Sequence, residues 1–593
     1  MPTLLHGPRV RGGSHDGGWI RARAVPPLVA AVLLFSFGIG VPGSQAHETG
    51  PAGSGASSGH GSAIVPAAGA LAAVTSDARI VHEAQVSSSR GAGTVLHEGA
   101  SEPVIATHPT DPRRLAAVHL RFSRAGSCSA DPVLRISHDA GQTWVDARAR
   151  PWAGSGRCPG IHAAIAWGPG PHEGSARLYW VDTVYDGGGL RVATAWSDDE
   201  GRTWSRIRVE RRTPPWVGGF PDITVDRDPA SPNRGAVYVA YNWSGDARRG
   251  PGIRLLASSD YGRTWRSVEI APVPGQAGFG EAWRINCRVR TGPDGLAYVA
   301  FFQADLHAWN SRDIFSRGPW GNVGRVGFAV ARVAFDRATG RLTARPAVMA
   351  TTLSVNAWTA YSAATPGTTG IFVDPTWSLS LDVDLVAGRV HLAVGSYRAS
   401  SRSSTPRGTV RVRRSDDRGE TWRWTTLPAL PAVAGRLQSS FRPSLTASGG
   451  IVVVGLRGIS DVPSGTRPGG WIPTIGAAYA VSVDGGRTFG APRPISSARW
   501  SAASLASATN GPGLRDRSDR LADGRVFYAY GDGRLARPAP DPRAGRAAVF
   551  GALIEVKNAE TAYGASGPNA GRRSPRIGAS DAANVAVRWW SSR

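Results

Sequence analysis

The chain has 593 residues, of which 41% are hydrophobic, and its 68 Lys and Arg against 44 Asp and Glu give a formal charge of +24. Its 75 glycines and 43 prolines stay below the share typical of low-complexity chains, and 21 tryptophans supply core material, so disorder throughout is excluded. A single long apolar run excludes a protein with several membrane spans. Lys557 is the only lysine, and the arginines are scattered rather than clustered, which does not favour nucleic-acid binding.

The N-terminal segment has the layout of an export signal. Arginines precede an apolar stretch at 28–41, and Ser44-Gln45-Ala46 then forms a small-residue cleavage site. Residues 1–46 are therefore predicted to be a signal peptide, with a mature chain that starts near His47. Residues 47–78, rich in Gly, Ala and Ser, are predicted to be a flexible linker. We expect a secreted, extracellular protein with no transmembrane span after cleavage.

Export determines the redox state expected of the three cysteines. An oxidising destination favours disulfides, and Cys128 and Cys158 lie 30 residues apart, whereas Cys287 is distant. We predict a Cys128–Cys158 disulfide and a leftover thiol at Cys287. The cysteine and histidine spacings match no zinc or redox motif, so neither a metal nor a cofactor is expected.

An eight-residue pattern occurs five times along the chain. Its consensus is Ser-x-Asp-x-Gly-x-Thr-Trp, with Phe replacing Trp in the last copy. Several copies follow a short run of β-forming residues, which is typical of a repeated supersecondary unit. The five copies are Ser137–Trp144, Ser197–Trp204, Ser258–Trp265, Ser415–Trp422 and Ser482–Phe489.

The residues of this octet are those that a hairpin turn requires. Gly permits the positive φ at which the chain reverses, and the Asp carboxylate can accept hydrogen bonds from the N–H groups of its own turn. The closing aromatic side chain can anchor the hairpin between neighbouring sheets. We therefore predict a structural rather than catalytic role for the five acids, Asp139, Asp199, Asp260, Asp417 and Asp484.

The octet resembles the Asp-box, or BNR repeat, of the sialidase superfamily. The resemblance implies an all-β propeller in which each box lies on the hairpin between the third and fourth strands of a blade. Boxes start 60, 61 and 67 residues apart, and the remaining gap of 157 residues holds a hairpin without a box near Phe328. We predict seven four-stranded blades over 79–557, with six as the alternative. A strand within 79–97 is expected to close the ring, and 558–593 is predicted to be a disordered tail.

The resemblance also implies a site where the inner strands begin. Family sialidases bind a carboxylate sugar with three arginines, but the matching first segment here, Glu102-Pro103-Val104-Ile105, has no arginine. Arg284, Arg442 and Arg517 lie near the starts of other inner strands and could clamp a carboxylate with guanidinium hydrogen bonds. They are the predicted ligand contacts.

Acidic residues near strand starts are the catalytic candidates, although each is also typical of a solvated turn. The weak candidates are Asp222, Glu281 and Asp374, with Glu102 and Asp516 as further acids. The long stretch 300–377 could be a lid or could contribute core aromatics. It carries Trp309, Trp320, Trp358, Tyr361 and Trp377.

Two functions therefore stay open. One is a non-catalytic propeller that binds an acidic or complex glycan, or a surface protein, at its central funnel. The other is an exo-acting, sialidase-like glycoside hydrolase with an arginine clamp. A monomer is expected in either case.

Overall fold

Every regular element of the described residues is a β-strand. The computed structural model describes residues 77–87, 100–122, 130–147, 149–152, 158–159, 162–185, 190–210, 220–244, 251–271, 273, 282–305, 325–354, 378–398, 407–435, 438–463, 471–496, 499–501, 516–532 and 548–557. Within these ranges no helix is long and apolar enough to cross a bilayer. The predicted signal peptide, most of the linker, the tail and Cys128 lie outside the described residues.

The N-terminal half of the described chain forms the first three blades. The strands are β1 (Asp77–Gln85), β2 (Ala100–Thr107), β3 (Leu115–Phe122), β4 (Ala130–Ser137), β5 (Val145–Asp146), β6 (Cys158–Pro159), β7 (Ala164–Pro169), β8 (Ala176–Tyr185), β9 (Leu190–Ser197), β10 (Arg208–Val209), β11 (Asp222–Val225), β12 (Val237–Ser244), β13 (Pro251–Ser258) and β14 (Arg266–Ile270). Blade one runs β2-β3-β4-β5, blade two β7-β8-β9-β10 with β6 also paired to β8, and blade three β11-β12-β13-β14.

The remaining strands build blades four to seven. They are β15 (Ala282–Thr291), β16 (Ala297–Asp305), β17 (Arg325–Asp336), β18 (Arg341–Ala344), β19 (Val348–Ser354), β20 (Leu379–Val383), β21 (Val390–Arg398), β22 (Arg407–Ser415), β23 (Arg423–Thr426), β24 (Ser439–Ser448), β25 (Ile451–Pro463), β26 (Trp471–Ser482), β27 (Arg493–Pro494), β28 (Trp500–Ser501), β29 (Arg517–Arg520), β30 (Val526–Asp532) and β31 (Ala548–Lys557). Blades four, five and six run β15-β16-β17-β18, β20-β21-β22-β23 and β24-β25-β26-β27, with β19 and β28 as fifth strands.

The seventh blade joins the two ends of the described chain. Its order is β29-β30-β31-β1, so the first strand pairs antiparallel with the last through eight register partners, from Asp77↔Lys557 to Gln85↔Phe550. This pairing closes the ring and covers the edge of β31, which would otherwise be unpaired. The prediction of seven blades closed by an N-terminal strand is confirmed. The prediction of four-stranded blades is also confirmed, and in blades two, four and six an additional strand pairs beside the four.

The second strand of each blade is the most apolar and supplies the packing between blades. Along β12, residues from Val237 to Tyr241 are fully buried, and the same holds for Ala297 to Phe302 on β16. Both faces of these strands are covered because a neighbouring blade lies on each side. Their near-continuous runs of Val, Ala, Tyr and Phe follow from this burial.

The five octets form five hairpin turns with the same hydrogen bonds. In the first, the Ser137 hydroxyl donates to Asp139 Oδ1 at 2.8 Å, and Thr143 donates its N–H and hydroxyl to the two carboxylate oxygens at 2.9 and 2.6 Å. Gly141 N–H donates to Ser137 Oγ at 2.8 Å. The other four turns repeat this pattern between equivalent atoms.

Each of these turns also needs two successive residues with positive φ, of which the second is the conserved glycine of the octet. Ala140 and Gly141, for example, have φ of 59° and 91°. The glycine is required sterically as well, since a Cβ at Gly141 would lie 2.2 Å from the ring of Phe527 in blade seven. Glycine therefore lets the first hairpin approach β30, the second strand of blade seven.

Asp260→Ala is expected to lower stability without changing ligand affinity. It leaves Thr264 N–H and both hydroxyls of the turn without their acceptor, at a cost of about 1–3 kcal/mol. Melting curves and ligand titrations of the variant check this, and Asp336→Ala, which removes the acceptor of Ala338 N–H and the Thr339 hydroxyl in a hairpin without the octet, should behave in the same way. Lost binding at unchanged stability would contradict the structural role.

Candidate functional site

Charged residues of the inner strands meet where the blades converge. In the inner strands of blades three, four, five and seven the charges lie at one or both of two register positions, which are two residues apart and therefore share one face of the strand. The first position faces a small residue of the second strand, as in Asp222↔Ala240, Arg288↔Ala300 and Arg517↔Ala529. The second position holds Arg290, Asp382 and Asp519 in blades four, five and seven.

A buried ion pair crosses the centre of the ring. Arg517 Nη2 of blade seven donates to Asp222 Oδ1 of blade three at 2.7 Å, with both side chains less than 5% exposed. Blades three and seven are not neighbours in a ring of seven, so this pair spans the axis. Arg290 Nη1 and the Val289 N–H donate to the other oxygen, Asp222 Oδ2, at 3.1 and 3.0 Å.

These donors decide the protonation of Asp222. Burial alone would raise the pKa of its carboxyl, but Arg517, Arg290 and Arg288 outweigh burial and lower that pKa to about 2. Asp222 is therefore a permanent anion at neutral pH, which suits a structural counter-ion and not a general acid.

A second layer of charges lies beside this pair. Arg227, two residues after the end of β11, donates to Asp519 Oδ1 of blade seven at 3.1 Å and to the Thr107 carbonyl of blade one at 3.0 Å. Asp519 Oδ2 accepts from the N–H and hydroxyl of Thr107 at 2.9 and 3.0 Å. We call Arg227, Arg290, Asp382 and Asp519 the axial cluster.

Asp382 completes the cluster from blade five. Its Oδ1 lies 3.8 Å from Arg290 Nε, and its Oδ2 accepts the Ala447 N–H at 2.8 Å. Burial raises the pKa of Asp382 more than Arg290 and these hydrogen bonds lower it, so that pKa rises to about 6. Asp382 can therefore hold a proton close to neutral pH, unlike Asp222.

The axial cluster is reachable although it is central. The side chains of the cluster are partly exposed to solvent, at 31% for Arg227, 22% for Arg290, 19% for Asp382 and 22% for Asp519. The side chains of the Arg517–Asp222 pair are less than 5% exposed. A ligand at the axis would thus meet two guanidinium groups and two carboxylates. This combination can bind an anionic group and accept hydrogen bonds from hydroxyls.

Three inner strands have a left-handed residue two positions before the register position that faces a small residue of the second strand, just before β11 and within β15 and β24. Phe220, Asn286 and Arg442 have φ of 67°, 56° and 48° and occupy the same position in blades three, four and six. The register of β15 and of β24 shifts directly after Asn286 and Arg442, which marks β-bulges. Bulges change the direction in which side chains point and are common next to functional sites. The bulges here therefore mark these strand segments as candidates for a functional role.

The predicted arginine clamp does not form as a unit. Arg284 turns away into the interface of blades three and four, where it donates to the Ile270 carbonyl and lies 3.6 Å from Glu269. Arg517 is held by Asp222, as described. Arg442 is buried at its bulge, and its guanidinium carbon lies 5.8 Å from the centre of the Phe441 ring.

The predicted acids are also dispersed. Asp516 forms a fully buried pair with Arg457 and accepts the Tyr528 hydroxyl at 3.1 Å, so it joins blades six and seven. Asp222 belongs to the cross-axis pair. Glu281, Asp374 and the five aromatics of 300–377 lie outside the described residues, as do the side chains of Glu102 and Cys158. Cys287 is buried, with Sγ 3.8 Å from the Phe220 carbonyl.

The sequence reasoning missed the axial cluster itself. Its residues stand near the ends of the inner strands rather than at their starts, in Arg288-Val289-Arg290, Ser380-Leu381-Asp382 and Ser518-Asp519-Arg520. A charged residue at alternate positions of an otherwise buried strand was the available signal, because burial of a charge requires a partner.

Comparisons with known proteins were made on the chain and on its fold. No protein-family profile matches the chain, and no curated protein matches it. Among solved structures, an ulvan lyase of polysaccharide lyase family PL25 is 12% identical and covers 73% of this chain and 91% of its own, with a TM-score of 0.42. The endosialidase of phage phi92 is 11% identical over 84% and 71%, with a TM-score of 0.39. The Hadza microbial sialidase Hz136 is 17% identical over 60% and 63%, with a TM-score of 0.33.

Proposed function

We propose that this chain is an exported propeller that binds an acidic carbohydrate at its axial cluster and does not cleave it. The observation that carries the proposal is Arg290, a partly exposed guanidinium at the centre of the ring, between Asp222 and Asp382. Its position gives an anionic ligand group a charge-assisted partner in a sheltered site. Export follows from the expected signal peptide.

The carboxylates of the cluster favour a carbohydrate over a simple anion. Asp382 and Asp519 are partly exposed acceptors beside Arg290 and Arg227, and sugar hydroxyls are the donors that would satisfy them. A sugar acid or a sulfated sugar carries both kinds of group on one ring. Without residues 1–46, which contain four arginines and one aspartate, the formal charge is still +21, and it would raise the local concentration of such ligands.

Binding without turnover is supported by the state of the acids. Glycoside hydrolysis requires two carboxyl groups about 5–10 Å apart, one of them protonated. Asp222 is held as an anion by its arginines, and Asp516 is sealed against Arg457. Asp222 therefore has no proton to give to a leaving group, and Asp516 is buried out of reach of one.

One observation favours hydrolysis as a second candidate. Asp382 has a pKa of about 6, is partly exposed and lies beside Arg290, which is the environment of a general acid. A sialidase-like exo-hydrolase would then use Asp382 as its acid and Arg290 in its clamp.

Titration with an acidic tetrasaccharide and a neutral tetrasaccharide tests the proposal. Arg290→Gln is expected to weaken acidic binding about 10- to 100-fold, the worth of one charge-assisted hydrogen-bonded contact, and to leave neutral binding unchanged. Arg114→Gln, a partly exposed arginine that pairs with Glu200, is the control and should change affinity less than about twofold. Equal losses in both variants would mean that bulk charge attracts the ligand.

Two further experiments distinguish the remaining hypotheses. Fluorogenic glycosides incubated with the wild-type chain should release no product, and release that Asp382→Asn abolishes would establish the hydrolase instead. Arg442→Lys keeps the charge of the predicted strand-start contact but loses its planar fork. A clear loss of affinity in this variant would extend the site from the axial cluster to the strand starts.

A further inference from the structure

The outer face of blade five carries an exposed tryptophan between two arginines. Trp424 of β23 is 40% exposed, and the guanidinium carbons of Arg413 and Arg411 of β22 lie 3.4 and 5.2 Å from the centre of its ring. We call these three residues the blade-five platform. Arg413 stands directly opposite Trp424 in the register, and Arg411 stands opposite Thr426.

The platform lacks the counter-ions that its counterparts in other blades have. Arg135 occupies in blade one the place that Arg413 occupies in blade five, two residues before the box serine, and it pairs with Asp146 Oδ1 at 2.5 Å. Trp424 stands where that aspartate stands.

The second arginine of the platform, Arg411, also lacks the acid that its counterpart in another blade has. In blade three, Arg254 matches Arg411 and faces Glu269, where blade five has Thr426. Among the described residues, the ion pairs include no acid for Arg411 or Arg413. The platform therefore carries two neighbouring positive charges without compensation, and burial together with the Arg411 charge lowers the pKa of Arg413 to about 10.

We infer that the blade-five platform is a second binding site, for a carboxylated or sulfated saccharide. Two guanidinium groups offer fork-shaped hydrogen bonding to a carboxylate or sulfate, and the exposed indole offers an apolar plate against which a sugar ring can stack. The uncompensated charge would be neutralised by the ligand, as Asp146 neutralises Arg135. This inference does not rest on the axial proposal, because no residue of the axial cluster takes part.

The test uses the full chain and two defined probes, a galacturonic acid tetrasaccharide for carboxylate and a carrageenan tetrasaccharide for sulfate. Calorimetric titration should show that Trp424→Ala weakens binding about 5- to 10-fold, and that Arg411→Gln with Arg413→Gln weakens it at least about 10-fold. The probe that responds identifies the anionic group. Arg423→Gln is the control for loss of a single charge, because it removes one positive charge from the position next to Trp424, on the opposite face of β23.

Several outcomes would overturn the inference. These are no loss with Trp424→Ala, an equal loss with Arg423→Gln, or no binding that these variants affect. A glutamate tetrapeptide that binds as tightly, with the same dependence on Trp424, would show that the site takes acidic protein segments instead. Arg290→Gln should leave this component of binding intact, so failure here and failure of the axial proposal are distinguishable.

Discussion

Removal of residues 1–87, which takes away β1, is expected to destabilise the ring by at least about 5 kcal/mol and to cause self-association. The eight register partners between β1 and β31 would be lost, and each backbone hydrogen bond contributes about 0.5–1.5 kcal/mol. Ala78 and Val86, both buried, would no longer cover blade seven. The bared edge of β31 would then offer unpaired N–H and C=O groups to other chains.

Denaturant unfolding and light scattering measure both effects. A chain that starts at residue 70 keeps β1 and should behave like the full chain, which separates the strand from the segment before it. A synthetic peptide of residues 76–88, added to the shortened chain, should restore stability by supplying the strand. Unchanged stability and a monomeric state without β1 would contradict the closure of the ring.

Arg517→Ala is expected to cost about 3–5 kcal/mol of unfolding free energy. The change leaves Asp222 buried across the axis with one fewer cation, and breaking a buried pair from one side is worth about that much. Asp222→Ala should lower the free energy of unfolding by a similar amount, because Arg517 and Arg290 both lose their carboxylate partner. The double variant should cost clearly less than the sum, and the difference measures the coupling between the two side chains.

The pair Arg114–Glu200 is the control for this cycle. Both partners lie on the surface side of the turns, with 45% and 18% exposure, so its loss should cost less than about 1 kcal/mol. If Arg517→Ala cost no more than Arg114→Ala, the cross-axis pair would not hold the ring together.

The same pair predicts the effect of acid. The pKa of Asp222 is depressed to about 2 in the folded chain, below its ordinary value of 3.8, so its contribution is complete above about pH 4. It is lost as the pH falls through about 2, and it amounts to about 2 kcal/mol. Asp222→Ala should remove this component of the acid-unfolding curve.

The fold could be predicted because it repeats. Five copies of a turn octet mark five of the seven blades, and Phe328 and its neighbours, now in β17, mark blade four, which has no octet. The need to close the ring predicted a strand before the first blade, and β1 supplies it. The fifth strands β6, β19 and β28 were not predictable, since they are short or irregular and lie outside the repeat.

The candidate site was predictable only in its location near the inner strands. Asp222 and Arg517 were both picked from their positions, but their pairing joins residues 295 apart across the axis and leaves no local pattern. Arg284 stands at an equally favourable strand start and yet turns into a blade interface. The direction of a side chain at a bulge depends on the register shift, and that shift cannot be read from one sequence.

The most direct measurement of the account is a structure of the full chain with a bound acidic tetrasaccharide. A carboxylate or sulfate of the ligand should lie within about 3 Å of the Arg290 guanidinium, with sugar hydroxyls donating to Asp382 or Asp519. A second ligand on the blade-five platform would be compatible with this. Saturating ligand that left the axial cluster empty would contradict the proposed site.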